Sequence, residues 1–203
     1  MATFAQLLER KYSDKLGDDA REYISFITGN AARMQALIDD LLLYSQVSPA
    51  NMETKEGPVS AEDVLHISIA NLKGVISETG AQITSDALPF TTALDATHLL
   101  QIFQNLIGNA IHYRSVRPPR IHISATKSQD GSLQFSVGDN GIGIAHQYRD
   151  HIFEPFKRLH GNERPGNGIG LAVCKKILDR HAGCIWVESK VGQGSTFYFT
   201  IPS

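Results

Sequence analysis

The sequence has 203 residues, of which 42% are hydrophobic, and its 19 Lys and Arg against 21 Asp and Glu give a formal net charge of -2. This balance is typical of a soluble globular protein of one or two domains, and it lacks the basic excess that nucleic-acid binding requires. Since no apolar run reaches the roughly 18 residues of a membrane span and the N-terminus lacks a secretory leader, we expect a cytoplasmic chain without a membrane segment.

The N-terminal region predicts two helices, because apolar residues recur at helical spacing over 4–12 and again over 18–47. The intervening "SDKLGDDA" supplies turn and N-cap residues, so the two helices should form a hairpin. The second helix carries an apolar stripe broad enough to need a partner helix, which predicts a homodimer through the hairpin. The stripe consists of Ile27, Met34, Leu37, Ile38, Leu41, Leu42 and Tyr44.

A polar stretch, "QVSPANMETKEGPVS", follows the hairpin and marks a domain boundary. We therefore assign 1–48 to a helical-hairpin domain, 49–59 to a linker and 60–203 to a second domain. The second domain predicts helices over 61–78, 96–113 and 168–181, strands over 82–84 and 90–93, and a β-hairpin turning at 130–131. Two further alternating strands, "CIWVES" and "STFYFTI", complete it. Helices clustered against a largely antiparallel sheet predict an α+β fold, a two-layer α/β sandwich preceded by the helical hairpin.

The segment "QNLIGNAIHY" places polar side chains within an otherwise apolar helix. Asn105, Asn109 and His112 lie within roughly 60° of one another around such a helix. A single buried asparagine most simply bonds to neighbouring backbone, but two asparagines and a histidine in one row favour a ligand site. Side-chain amide oxygens suit Mg²⁺, which proteins hold through one or two oxygens together with substrate phosphates. The adjoining apolar face consists of Leu99, Ile102, Phe103, Leu106 and Ala110.

Two glycine-rich segments lie next to predicted elements. The first follows a predicted strand, and the second precedes a predicted helix. In "GDNGIGI", Asp139 precedes glycines that let the backbone approach a flat ligand, and its carboxylate can accept a hydrogen bond from an exocyclic amine. An ordinary turn is the alternative interpretation of this segment. In "PGNGIGLAVCKK", glycines lead into a helix whose first N–H groups can bind an anion. The βαβ context of a dinucleotide-binding fold is missing, which excludes that interpretation.

Five segments in this order resemble the catalytic core of sensor histidine kinases, especially the phytochrome-like group. "QNLIGNAIHY" resembles the N box, "DNGIGI" the first glycine box, "IFEPFKRL" the F box, "GNGIGL" the second glycine box and "GQGSTFYFTIP" the closing strand. The resemblance covers essentially all 203 residues. It implies a Bergerat-type ATP-binding domain, preceded by a truncated dimerisation and histidine-phosphotransfer hairpin, in a two-component signalling protein.

The resemblance also implies roles near the phosphates. Asn109 corresponds to the Mg²⁺ ligand, and Asn105 to the polar residue one turn earlier beside the reacting phosphate. Arg158 corresponds to a basic residue of a mobile lid over about 145–165. His112 stands where the family has Lys or Arg, and a neutral imidazole would donate one hydrogen bond to the phosphates in place of a full charge.

For the nucleoside, the resemblance implies that Asp139 binds the exocyclic amine of adenine, with Gly141 and Gly143 at the base of the pocket. Tyr113 corresponds to the aromatic or apolar wall. The hinge and the phosphate-cradling turn correspond to three glycines of the second glycine box, Gly166, Gly168 and Gly170.

The implied reaction is transfer of the ATP γ-phosphoryl group to a histidine. Related ATPases place Glu at the position of Asn105, where it acts as general base on water, and an amide cannot take that proton. Two other functions stay open, an ATP hydrolase of the same superfamily and a non-catalytic ATP-binding association module. The implied partners are ATP or ADP and the receiver domain of a response regulator.

The resemblance places the acceptor histidine on the first helix of the hairpin, whereas the first histidine here is His66. We therefore expect that this chain cannot phosphorylate itself. The sequence leaves open whether the truncation is natural or engineered.

Overall fold

The structure, a computed structural model, describes residue 7 and residues 17–46, 57–91, 93–128, 131–157, 159 and 167–202. The chain divides into two compact units, Met1–Ser45 and Gln46–Ser203. The domain boundaries that the sequence predicts at 48/49 and 59/60 stay predictions.

The first unit contains one long helix, α1 (Asp18–Gln46), at the position that the sequence predicts. Its first turn carries Asp18 and Asp19, and their negative charges interact favourably with the positive end of the helix dipole. Apart from Leu7, which is helical, the predicted first helix at 4–12 lies outside the described residues, and so do the side chains of Leu37 and Tyr44. The apolar side chains of α1 that are more than half exposed are Tyr23, Phe26, Ile27, Met34, Ile38, Leu41 and Leu42.

The second unit is built from four helices and seven strands among its described residues. In chain order they are β1 (Val59–Ser60), α2 (Ala61–Asn71), α3 (Lys73–Thr79), β2 (Gln82–Ser85), β3 (Phe90–Thr91), α4 (Ala96–His112), β4 (Arg120–Lys127), β5 (Leu133–Asp139), α5 (Gly170–Arg180), β6 (Ile185–Lys190) and β7 (Gly194–Ile201). Two short 3-10 helices, His146–Tyr148 and His151–Phe153, lie between β5 and α5.

Five strands form a mixed sheet in the order β2-β4-β5-β7-β6, with β2 parallel to β4 and the other pairs antiparallel. Strands β1 and β3 form a separate antiparallel pair. The register of the β4–β5 hairpin places Lys127 opposite Leu133, as the turn signal at 130–131 predicts. None of the described helices combines the length and the apolar character that crossing a membrane requires.

The core lies between the sheet and a helical layer in which α4 packs against both α2 and α5. Phe103 of α4 contacts Phe135 of β5 and Phe199 of β7 edge to face, with ring centroids 6.1 and 6.2 Å apart. Phe135 and Phe199 stack on each other at 4.8 Å. Alternate residues of β5 and β7 are buried, which is the period of a sheet covered on one face. The predicted α+β fold is therefore confirmed.

Two predicted helices differ in extent from the observed ones. The helix predicted over 61–78 is two helices, because Leu72, at φ -94° and ψ 5°, leaves the helical conformation between Asn71 and Gly74, which are both poor helix formers. The helix predicted from 168 begins at Gly170, because Gly168 has φ +71°, which no helical residue adopts.

Candidate functional site

Helix α4 orients the predicted polar row by burying its apolar face. Asp95 caps the helix, with its Oδ1 accepting a hydrogen bond from the N–H of His98 at 2.9 Å. Asn105, Asn109 and His112 are half-buried on the adjoining face, as the spacing predicts. The apolar residues are at most 4% exposed, namely Leu99, Ile102, Phe103, Leu106 and Ala110.

The C-terminal end of α4 is bonded to the loop that follows β5. Tyr113 caps the helix, and its carbonyl accepts a hydrogen bond from the N–H of Ile142 at 3.0 Å. A Cβ atom on Gly141 would lie 2.6 Å from that carbonyl oxygen and 2.8 Å from Oδ1 of Asp139. Only glycine permits this approach, which brings Asp139 next to the end of the helix.

The other side of the same loop is bonded to the β6–β7 turn. Gly143 has φ +72°, and a Cβ atom there would collide with the carbonyl of Lys190. The carbonyl of Ile142 accepts a hydrogen bond from Gly192 at 2.7 Å, and the N–H of Ile144 donates to Oγ of Ser189 at 2.7 Å. The loop is therefore bonded to the end of α4 on one side and to the β6–β7 turn on the other. Gly141 and Gly143, which the sequence predicts as site residues, permit these close approaches.

The two oxygens of the Asp139 carboxylate differ in their partners. Oδ1 accepts hydrogen bonds from the backbone N–H groups of Gly141 at 2.7 Å and Ser195 at 3.2 Å. Among the described residues, none donates a hydrogen bond to Oδ2, and this oxygen is accessible to solvent. Burial raises the pKa of Asp139, and the two N–H groups oppose that rise. The carboxylate is thus anchored by one oxygen and presents the other as an acceptor.

Sequence reasoning missed two serines that support this carboxylate. The Oγ atoms of Ser189 and Ser195 lie 2.9 Å apart, and Ser189 also donates to the carbonyl of Gly194 at 2.9 Å. Ser189 accepts the bond from Ile144, so this pair links β6, β7 and the Asp139 loop. The segment "GQGSTFYFTIP" contains Ser195, but its alternation predicts only a strand.

His112 lies in the last turn of α4. Burial and the positive charge of Arg114 lower the pKa of His112, and a hydrogen bond to the backbone of Gly108 opposes this. The imidazole is therefore neutral near pH 7. The role of His112 as a hydrogen-bond donor to the phosphates stays a prediction.

The earlier asparagine, Asn105, meets the start of α5. A Cβ atom on Gly170 would lie 2.9 Å from Oδ1 of Asn105. Nδ2 of Asn105 is buried and makes no regular hydrogen bond within the described part of the chain, although the thiol of Cys174 lies beside the amide. Burial raises the pKa of Cys174 to about 12, so its thiol is neutral. Ile169, the N-cap residue of α5, provides no side-chain cap.

The second glycine box is only partly described. The carbonyl of Gly168 accepts a hydrogen bond from the N–H of Phe156 at 2.8 Å, which joins the F box to the second glycine box. Arg158 and Gly166 lie outside the described residues. The structure thus brings the C-terminal half of α4, the Asp139 loop and the start of α5 together through direct contacts.

Residues 94–203 match the protein family described as histidine kinase-, DNA gyrase B- and HSP90-like ATPase. The chain belongs to this ATPase family. The match includes α4, the Asp139 loop, α5 and the β6–β7 hairpin, so the whole site lies within it.

Three known proteins resemble the chain over 98% or more of its length. It is 50% identical over 203 residues to cyanobacterial phytochrome A of Nostoc sp., and this covers 100% of the chain and 26% of that protein. Full-length ShkA, solved with AMPPNP, superposes with a TM-score of 0.75 at 28% identity, covering 98% of the chain and 41% of ShkA. The histidine kinase ThkA, solved with the response regulator TrrA, shares the fold at 22% identity, with a TM-score of 0.66 over 98% of the chain and 57% of ThkA.

The resemblance to sensor histidine kinases that the five boxes predict is therefore confirmed, and the chain is an ATP-binding core of this kinase type. It spans about a quarter of the length of the phytochromes that it matches.

Proposed function

We propose that the site binds Mg·ATP and that the domain donates the γ-phosphoryl group to a histidine on a helical hairpin. The observation that carries this proposal is the free Oδ2 of Asp139, held beside the end of the helix that carries the two asparagines. The identity of the family and the AMPPNP bound to ShkA support a nucleotide as the ligand.

Adenine recognition follows from the partners of Asp139. Its Oδ2 accepts the hydrogen bond of the exocyclic amine, while Gly141 and Gly143 leave the pocket base free of side-chain atoms. Half-buried Tyr113 at the end of α4 provides the wall. Guanine has a carbonyl oxygen in place of this amine, and a carboxylate oxygen repels another acceptor. The site should therefore discriminate strongly against GTP, since a buried polar group that loses its partner is costly.

The donors along α4 and α5 fit Mg²⁺ and phosphates. The amide of half-buried Asn109 would supply the oxygen that binds the metal. Bound Mg²⁺ would neutralise charge on the phosphates during transfer. In this proposal neutral His112 and the uncapped first turn of α5 donate hydrogen bonds to phosphate oxygens, and Asn105 lies next to that turn.

The second glycine box and Arg158 of the F box have supporting roles in this proposal. Gly168 and Gly170 shape the turn into α5, and Gly166 is the hinge. Arg158 closes over the phosphates from the lid.

Transfer is favoured over hydrolysis because no carboxylate stands at position 105. Asn105 packs against Gly170 and beside a neutral thiol, and neither an amide nor that thiol can accept a proton from water. Catalysis would then depend on positioning and on charge stabilisation, which is how proteins accelerate phosphoryl transfer.

Two partners belong to the same proposal. The receiver domain of a response regulator would take the phosphoryl group onward, as the complex of ThkA with TrrA suggests by analogy. A second copy of the chain would cover the exposed apolar side chains of α1. We therefore expect a dimer in solution, seen as a particle of twice the chain mass. We place this signalling function in the cytoplasm, where ATP is available.

The magnesium role is tested by Asn109→Ala. With Mg²⁺ present, we expect the affinity for ATP to fall by about tenfold, roughly 1.4 kcal/mol, because one metal ligand is lost. In EDTA the affinities of wild type and variant should be nearly equal. Calorimetric titrations in both buffers measure this difference, and Gln104→Ala, which removes a half-buried amide from another face of α4, is the matched control. An equal loss in EDTA would mean that Asn109 is structural.

A further inference from the structure

A second cluster of ligand-bearing side chains lies at the opposite ends of the helices that form the ATP site. Asp95 precedes α4, His98 lies in its first turn, and His181 follows the last residue of α5. Ten residues separate Asp95 from Asn105, which along a helix corresponds to about 15 Å. The proposed nucleotide chemistry therefore makes no use of this cluster.

The three side chains converge. The rings of His98 and His181 have centroids 5.4 Å apart at 65°, and one ligand atom from each of the three residues lies within 4.8 Å of the others. Nδ1 of His98 lies 2.5 Å from Oδ2 of Asp95, but the contact is not a regular hydrogen bond. The other oxygen, Oδ1, already caps α4, so Oδ2 is the oxygen that faces the histidine.

One ring nitrogen of His181 is left without a partner among the described residues and is a candidate metal ligand. Its Nε2 is buried and has no hydrogen-bond partner within the described ranges. The backbone of Ala93 bonds to the ring, and we assign this bond to Nδ1 because Nε2 has no partner within those ranges. A proton on Nδ1 leaves a lone pair on Nε2. Metal-binding histidines commonly donate their second ring nitrogen to a backbone carbonyl in this way, which orients the ring.

We propose that Asp95, His98 and His181 bind a divalent transition-metal ion of the Zn²⁺ type. Two imidazole nitrogens and one carboxylate oxygen form a donor set that zinc accepts, with water in the fourth position, whereas Mg²⁺ prefers oxygen ligands. Metal–ligand bonds of roughly 2.0–2.1 Å place tetrahedral ligand atoms about 3.3 Å apart. On metal binding, the distance between the Asp95 and His98 ligand atoms would therefore increase, and the largest distance among the three ligand atoms would decrease. The side chains of His98 and Asp95 are 22% and 24% exposed, which gives an ion access.

Such an ion would join the start of α4 to the end of α5. These two helices also carry Asn105 and Gly170, so the metal would hold together the helix pair that forms the phosphate end of the ATP site. Binding to the folded state alone would raise its stability.

The test uses the full chain without a polyhistidine tag, stripped with EDTA, dialysed and titrated with Zn²⁺ by calorimetry and with Co²⁺ by visible absorption. We expect one equivalent of Zn²⁺, a tetrahedral Co²⁺ spectrum and a raised Tm. His181→Gln and His98→Gln should each weaken Zn²⁺ binding by at least about tenfold, since each removes one of three ligands. His122→Gln changes an exposed histidine outside the cluster and should bind like wild type.

Two results would overturn the proposal. One is the absence of saturable uptake of either metal by the wild-type chain, a result that does not depend on how any variant folds. The other is a failure of both cluster variants to weaken Zn²⁺ binding more than His122→Gln does. Asp139→Asn should bind Zn²⁺ like wild type, because the two sites are separate.

Discussion

Asp139→Asn should lower the affinity for ATP by at least about a hundredfold without weakening the fold. The N–H groups of Gly141 and Ser195 both bond to Oδ1, so they hold the oxygen of the new amide at that position. The amide nitrogen must then replace Oδ2. It presents a donor to the exocyclic amine of adenine, which is also a donor, and the hydrogen bond is replaced by repulsion.

The stability of the same variant follows from the pKa of Asp139. Burial raises this pKa above its value in the unfolded chain. The carboxyl group therefore stabilises the fold only while it is protonated, below its unfolded pKa, and this contribution is lost as the pH rises through the folded pKa. At pH 7 the ionised group is a net cost that asparagine lacks. Urea unfolding should give a free energy of unfolding equal to or above that of wild type.

Protonation also predicts how ATP binding depends on pH. Adenine bonds to the ionised carboxylate, so the affinity of wild type should fall as the pH drops through the raised pKa of Asp139. Calorimetric titration across this range measures the change, with Asp63→Asn, an exposed carboxylate on α2, as control. Unchanged ATP affinity in Asp139→Asn, with an intact fold, would remove Asp139 from the adenine site.

The second large effect concerns phosphorylation. Incubated alone with Mg·ATP, the 203-residue chain should bind the nucleotide but gain no acid-labile, base-stable phosphate. Its first histidine is His66, so the hairpin region carries no acceptor. Positioning cannot raise the effective concentration of a nucleophile that is absent. His112 lies in the last turn of α4, within a fixed helix and not on a docking partner.

A separately expressed helical hairpin that carries an acceptor histidine tests the same point in trans. We expect it to become phosphorylated by the wild-type chain and not by Asp139→Asn, with intact mass and acid lability as the measurements. Phosphate release followed in parallel separates transfer from hydrolysis. A phosphohistidine mapped to the isolated chain, at His112 or elsewhere, would contradict the prediction.

Much of the fold was predictable because burial sets the spacing of apolar residues. The face of α4 and the β4–β5 and β6–β7 hairpins follow from periods of 3.6 and 2 that are local in the sequence. The break at Leu72 does not change the apolar period, and the weak helix propensities of Asn71 and Gly74 are its only local indication.

The site was predictable where glycines and polar residues form compact motifs, and not where partners are distant in the chain. Ser195 bonds to Asp139 across 56 positions, and sheet register alone brings them together. The contact of Gly170 with Asn105 likewise depends on how α5 packs against α4. His181 meets Asp95 and His98 for the same reason, so no local pattern indicates that cluster.

The central claim is that this chain holds an adenine-specific ATP site at Asp139. Calorimetric titration of the wild-type chain with ATP and with GTP, both with Mg²⁺, tests it most directly. We predict saturable binding of one ATP per chain and at least about a hundredfold weaker binding of GTP, because Oδ2 of Asp139 accepts from the adenine amine and repels the guanine carbonyl. Absence of saturable ATP binding, or GTP binding of equal affinity, would contradict the claim.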